Sequence, residues 1–250
     1  MIKLFVLDID GCITMPFEVP EWDALAEIRR LNDRSKSDPN VPPVTICSGR
    51  PQPYVEAVGQ WLGAYKPLIF ESGGGMFDPV NVRLHWPDHL DKQRESEIAD
   101  IRNWVESNII SAYTGSSVEF TKRTDVGIIH TNEDIIIEMY NKVKAHVEHT
   151  HPDFEVHRTE ISINVIMSRS NKASGLRWLS DSCKISMNQM AYIGDSSGDI
   201  PALELAGMKF TPANGIAKMD TMDGLVRTSG EATWGVVEAY KAIIRKNKEG

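Results

Sequence analysis

The sequence predicts an α/β fold, a Rossmann-like parallel-sheet core interrupted by an inserted α+β module. Three observations predict it. Over the first eighty residues, short continuous apolar runs alternate with segments of helical periodicity, the pattern of strands buried on both faces and helices laid across them. The middle of the chain changes to long charged helices and neighbouring strands. After Arg169 the first style returns. Residues 1–79 and 169–250 are therefore expected to form one core, with 80–168 as the insert.

Each element follows from its own pattern. Leu4-Phe5-Val6-Leu7 is an apolar run of strand length. Trp22, Leu25, Ile28 and Leu31 share one helical face. Val44-Thr45-Ile46-Cys47 reads as a second strand. Tyr54, Val55, Val58, Trp61 and Leu62 repeat as an amphipathic helix, and Leu68-Ile69-Phe70 reads as a third strand ended by Gly73-Gly74-Gly75. In the insert, Asp88 to Ile110 reads as one long helix, Val118 to Lys122 and Val126 to Thr131 as strands, and Glu133 to Glu148 as a second helix. Strands near Phe154 to His157 and Ile161 to Met167 complete an antiparallel sheet covered on one face. The returning core has a helix at Lys172 to Ser182, a strand at Met190 to Ile193 and a helix at Ile200 to Ala206. Short strands at Lys209 to Thr211 and Leu225 to Arg227 precede a last helix from Glu231 to Arg245.

Composition narrows the function classes. The chain has 250 residues, 41% hydrophobic and 25% charged, with a formal charge of −8. That charge argues against a nucleic-acid groove, which needs concentrated Lys and Arg, but not against a small phosphorylated ligand held locally. No apolar run reaches the length of a membrane span, and Asp8 and Asp10 break the first run too early for a signal-peptide core. Cys12, Cys47 and Cys183 have no paired spacing, so neither a disulfide framework nor a zinc site is expected. The expectation is a cytoplasmic protein without an obligate protein partner.

Two acidic loops stand out. Asp8-Ile9-Asp10-Gly11 follows the first strand, at the carboxyl edge where open parallel sheets bind ligands. Alone it is equally a strand-ending turn. Gly194-Asp195-Ser196-Ser197-Gly198-Asp199 follows another apolar strand, where Asp199 alone is equally a helix N-cap. Together the two loops can converge on one hard cation through oxygen ligands, and Mg2+ suits a few carboxylates plus a phosphate. Lys172 opens a helix from which it can reach the same edge. Ser48-Gly49 offers a hydroxyl and backbone N–H groups to a phosphate, although in isolation an ordinary surface lysine and a plain strand-to-helix turn are the favoured readings of Lys172 and Ser48-Gly49. In the insert, Arg123, His130, Arg158 and Asn164 are polar and near strands, and surface positions account for them better than ligand roles do.

Asp8-Ile9-Asp10-Gly11, Ser48-Gly49-Arg50, Lys172 and Gly194-Asp195-Ser196-Ser197-Gly198-Asp199 stand in the order seen in the haloacid dehalogenase superfamily. The whole chain resembles its capped sugar-phosphate phosphatase branch, similar in layout to Cof-like proteins, sucrose-phosphate phosphatases and phosphomannomutases, with the insert as cap domain. The residue after the first motif's glycine, commonly threonine there, is Cys12 here.

The resemblance implies Mg2+-dependent hydrolysis of a small phosphate monoester, a sugar phosphate or related metabolite, through an aspartyl-phosphate on Asp8. Asp10 is implied as general acid and base. The implied metal ligands are Asp8, the Asp10 backbone carbonyl and Asp195, with Asp199 ligating directly or through water. Ser48, Gly49 and Lys172 are implied to hold the phosphoryl oxygens, and Asn214 matches a recurrent asparagine near the active edge. A sugar phosphomutase with the same nucleophile shares all of these motifs. A phospho-accepting signalling or binding module is a further alternative, disfavoured by the length of the insert.

Overall fold

The computed structural model describes residues 1–250. In chain order the elements are β1 (Leu4–Leu7), α1 (Trp22–Arg34), β2 (Val44–Ile46), α2 (Gln52–Leu62), β3 (Leu68–Phe70), β4 (Gly75–Asp78), β5 (Arg83–His85) and α3 (Lys92–Val105). They continue with β6 (Ser117–Val118), β7 (Asp125–Ile129), α4 (Glu133–Thr150), β8 (Phe154–Arg158), β9 (Ser162–Met167) and α5 (Lys172–Cys183). The chain ends with β10 (Met190–Ile193), α6 (Ile200–Leu205), β11 (Met208–Thr211), β12 (Leu225–Arg227) and α7 (Ala232–Glu249). They fall into two compact units, Met1–His85 with Lys172–Gly250, and Trp86–Asn171.

The first unit is α/β, built on a parallel sheet in the order β12-β11-β10-β1-β2. Side chains alternate across it. Leu4 and Val6 pack with Leu176, Leu179, Tyr192, Ala202 and Leu203, the side covered by α5 and α6. Phe5 points the other way, 5.4 Å ring to ring from Tyr240 of α7 and 6.3 Å from Phe210. A helix thus covers each face, and the strands read as unbroken apolar runs. Asn32 of α1 ties this layer together: its amide donates to the carbonyls of Leu62 and Gly63 and accepts from the Val44 N–H.

The third strand meets β2 in the expected parallel sense and also opens an antiparallel extension. A parallel bridge joins Ile69 of β3 to Cys47 at the end of β2, and on its other side β3 pairs antiparallel with β4, which pairs with β5. The turn that reverses it, Glu71-Ser72, has two consecutive left-handed residues, φ 48° and 54°. Pairing with β4 keeps Arg83–His85 in the first unit, beyond Pro79.

The second unit is an antiparallel sheet, β6-β7-β9-β8, carrying α3 and α4. Its core joins Val126, Ile128, Ile163 and Val165 of the sheet to Ile101, Val105, Ile136, Met139 and Val143 of the helices. Asp91 caps α3 by accepting from the Arg94 N–H, so the helix starts later than Asp88, and it passes into a π-helical turn at Glu106–Ile110. The strand expected at Val118 to Lys122 is only Ser117–Val118. Beyond it the chain turns so that the buried Lys122 ammonium lies 2.7 Å from Glu119 and 2.6 Å from Asn164 Oδ1. Arg123 packs over the Trp86 ring and pairs with Glu95, whereas His130 is buried and accepts from the Asn132 N–H. Arg158 lies 3.7 Å from Glu133. No helix of the chain is long and apolar enough to cross a membrane.

Candidate active site

Parallel register brings the ends of β1, β2 and β10 to one edge: Leu7 pairs with Ile46 on one side and with Ile193 on the other. The residues that follow are Asp8, Cys47-Ser48 and Gly194-Asp195. Sequence separations of up to 187 positions thus collapse onto one patch, because three neighbouring strands stop together.

Asp8 is buried. Its Oδ1 accepts the Ile9 N–H at 2.8 Å, and its Oδ2 lies 2.6 Å from the Lys172 ammonium. Lys172 also reaches Asp199 Oδ1 at 2.7 Å. The Asp199 carboxylate has no exposure and is surrounded by donors: the Tyr192 hydroxyl and Lys172 on Oδ1, the Ser196 N–H and hydroxyl on Oδ2. Asp199 therefore fixes Lys172 and the acidic loop, and its oxygens are already engaged by the protein.

Asp8, Asp195 and Asp199 offer one oxygen each within 4.8 Å of one another. Burial first, then the charge of Asp199, pushes the Asp8 carboxyl up to about 7, against the pull of Lys172. Burial, Asp199 and Asp8 push Asp195 up to about 8. No protein donor reaches the Asp195 carboxylate, which lies against the backbone of Gly11: a Cβ there would fall 1.9 Å from its Oδ2. Gly11 also has φ +69°, so glycine is required twice over. Clustered hard oxygens, one of them without a donor and short of positive charge, fit a divalent cation.

The other expected residues are placed as follows. Asp10 is partly exposed, and both its oxygens accept from Arg50, Oδ2 from Nε and Oδ1 from Nη2, each at 2.7 Å. The Ser48 side chain is buried, and its N–H donates to Ile69, so that turn offers the Ser48 hydroxyl and the Gly49 N–H but not a row of backbone donors. Asn214 donates to the Gly11 carbonyl at 2.9 Å and accepts from the Ala232 N–H at 2.7 Å, tying the first acidic loop to the start of α7. Cys12 is fully buried, and burial with the neighbouring Asp195 and Asp8 charges pushes its thiol well up, which keeps it protonated. Two residues with no role assigned from the sequence join the site: Tyr192, through Asp199, and Arg50, through Asp10. An aromatic inside an apolar strand carries no signal for the first. For the second, a basic residue one place beyond Ser48-Gly49 was the available hint.

Comparisons agree with this architecture. The profile of the haloacid dehalogenase-like hydrolase family matches residues 117–239. A phosphoglycolate phosphatase of Methanosarcina acetivorans is 27% identical over 246 residues, covering 96% of each chain. Among solved structures, one from Thermoplasma acidophilum superposes with a TM-score of 0.75 at 20% identity, covering 97% of this chain and 98% of that one. The sucrose-phosphatase of Synechocystis, solved with sucrose and phosphate, gives 0.67 at 15% identity, covering 96% and 97%. The acidic loops, the lysine and the parallel sheet that gathers them thus stand in a chain that is similar to haloacid dehalogenase-like hydrolases and to relatives named as phosphatases.

Proposed function

We propose that this phosphatase hydrolyses a small phosphate monoester, a sugar phosphate or a compact phosphorylated acid of the phosphoglycolate kind, through a phosphoryl group carried transiently on Asp8. The observation that carries the reading is the Lys172 ammonium 2.6 Å from Asp8, in the same cluster as Asp195. A buried carboxylate beside a fixed cation is set up to attack phosphorus while the developing oxygen charge is balanced.

In the first half-reaction the Asp8 carboxylate attacks phosphorus and the bond to the ester oxygen breaks. That oxygen takes a proton from the Asp10 carboxyl and leaves as the alcohol. In the second, water attacks the phosphorylated Asp8 and gives a proton to the Asp10 carboxylate. Inorganic phosphate departs and both aspartates return to their starting states. Lys172, the Ser48 hydroxyl and the Gly49 N–H hold the phosphoryl oxygens. Mg2+ held by Asp8, the Asp10 backbone carbonyl and Asp195 would offset the charge between nucleophile and phosphate. Asp199 and Asn214 support, the one through Lys172 and the other through the Gly11 carbonyl. The α+β unit is assigned the role of cap, selecting the organic half of the substrate. The free thiols of Cys12, Cys47 and Cys183 suit the reducing cytoplasm.

The test is phosphate release from sugar phosphates, phosphoglycolate and an aryl phosphate, with and without Mg2+. Metal-dependent release from at least one supports the reading. Equal release in chelator, or stimulation of isomer formation by a sugar bisphosphate in place of phosphate release, overturns it.

A further inference from the structure

We infer that Arg50 is a positioning residue for the reaction, acting on the substrate only through Asp10. The inference rests on the phosphatase reading, in which Asp10 handles the proton of the leaving oxygen.

The geometry is a bidentate fork. Nε and Nη2 of Arg50 each reach a different oxygen of Asp10 at 2.7 Å. Two parallel bonds fix both the position and the plane of a carboxylate, where a single contact leaves it free to rotate. The guanidinium is itself held. Its Cζ lies 5.1 Å from the centre of the Tyr54 ring, and the Arg50 carbonyl accepts the Glu71 N–H while its own N–H donates to the Ser48 hydroxyl at 3.3 Å. Arg50 thus hangs from the loop expected to cradle phosphate and reaches across to the first acidic loop, 40 positions earlier. The side chains of Arg50 and Asp10 are 17% and 34% exposed, so the pair is screened by water on one side only.

Asp10 needs such a partner. Asp8 and Asp199 are anchored by Lys172, and Asp199 also by Tyr192 and Ser196, whereas the only hydrogen bonds found for the Asp10 carboxylate come from Arg50. Without the fork, a short side chain on a partly exposed turn samples several rotamers. A general acid that is off position by an ångström loses much of its effect. Arginine is required for this, because the ammonium of lysine makes point contacts and cannot hold the carboxylate plane.

The experiment compares Arg50→Gln, Arg50→Lys, Asp10→Asn and the double variant Arg50→Gln/Asp10→Asn in the full chain with Mg2+. The readout is kcat/KM on two esters, an alkyl phosphate whose leaving oxygen needs a proton and a dinitrophenyl phosphate whose leaving group does not. Arg50→Gln is expected to lose about 10- to 100-fold on the alkyl ester, a good part of what general acid catalysis contributes, and within about 3-fold on the dinitrophenyl ester. Arg50→Lys should fall between wild type and Arg50→Gln. In the double variant the alkyl-ester loss should equal that of Asp10→Asn alone, because a residue acting through Asp10 has nothing left to act on. Equal losses on both esters, losses that multiply in the double variant, or no loss at all would each overturn the role of Arg50 while leaving the phosphatase reading intact. Wild-type protein that hydrolyses neither ester overturns both. Melting temperatures of all four variants within a few degrees of wild type separate misplacement of Asp10 from loss of fold.

Discussion

Lys172 Nζ lies 2.6 Å from Asp8 Oδ2, at the first turn of a helix that begins 164 positions later in the chain. The ammonium is 2.7 Å from Asp199 as well, so one buried cation is shared by two buried carboxylates. With Asp195 adjacent, three carboxyl groups gather around one ammonium. That imbalance decides how the site responds to mutation, acidity and metal.

Asp8→Asn removes the nucleophile while keeping the shape of its side chain. Turnover is expected to fall at least about 10³-fold, in line with the loss of a covalent nucleophile. The sheet should be unaffected, since Leu4–Leu7 remains paired with Val44–Ile46 and Met190–Ile193. Phosphate release together with circular dichroism checks both halves. Activity near wild type in a folded variant would exclude Asp8 as the attacking group.

Lys172→Met removes the shared cation and leaves Asp8 and Asp199 facing each other without it. Breaking a buried charge pair by deleting one partner costs about 3–5 kcal/mol. Urea denaturation should show a loss of that order, and hydrolysis should fall steeply. Millimolar Mg2+ should restore part of the stability and little of the activity, since it can balance charge but cannot donate to the phosphoryl oxygens. Unchanged stability would show that the cluster is less confined than its geometry indicates.

How much of this was legible in the sequence differs by element. Met190–Ile193 could be delimited because an apolar run is bounded by Gln189 and Gly194, and a strand buried on both faces leaves that signature. The two acidic loops were legible for the same reason, as they mark where such runs stop. The second, antiparallel partner of Leu68–Phe70 was not legible: an apolar run does not say how many neighbours it pairs with, and the left-handed turn at Glu71-Ser72 sends the chain back beside it. Val118 to Lys122 misled because its alternation is strand-like, whereas Lys122 is buried by its ion pair with Glu119. The contacts of Tyr192 with Asp199 and of Arg50 with Asp10 depend on register between strands and loops, which residue type alone does not encode.

The acidity of the cluster gives a stability prediction with a definite sign. Asp8 and Asp195 titrate at about 7 and about 8 in the folded protein, pushed up chiefly by burial, against roughly 4 in an unfolded chain. The folded state therefore binds more protons than the unfolded state between roughly pH 4 and pH 8. Their contribution to stability is complete below roughly pH 4 and is lost as the pH rises through 7 to 8. In chelator, the melting temperature of wild type should fall more steeply from roughly pH 5 to pH 9 than that of Asp195→Asn. Saturating Mg2+ should flatten the wild-type profile by giving the ionised carboxylates a partner. Calorimetric scans that superimpose with and without Mg2+, and in both proteins, would rule out this coupling.

Gly11→Ala tests whether the Asp195 carboxylate must lie against a bare backbone. The added methyl would start 1.9 Å from Asp195 Oδ2 and 2.4 Å from its Cγ, distances at which one of the two groups has to move. The backbone cannot yield easily, because Gly11 sits at φ +69°, its carbonyl accepts from Asn214, and its N–H donates to Thr14. A left-handed alanine adds about 1 kcal/mol or more of its own. Asp195 is the freer partner, with no donor holding its carboxylate, so it is the group expected to shift. The variant should then need at least about 10-fold more Mg2+ for half-maximal activity, while activity at saturating metal falls less, because Asp8, Lys172 and Asp10 keep their own partners. A metal titration of phosphate release reads both quantities. An unchanged half-saturation point would remove Asp195 from the metal site and leave the weakened acidity of that carboxyl as a consequence of burial and its acidic neighbours only.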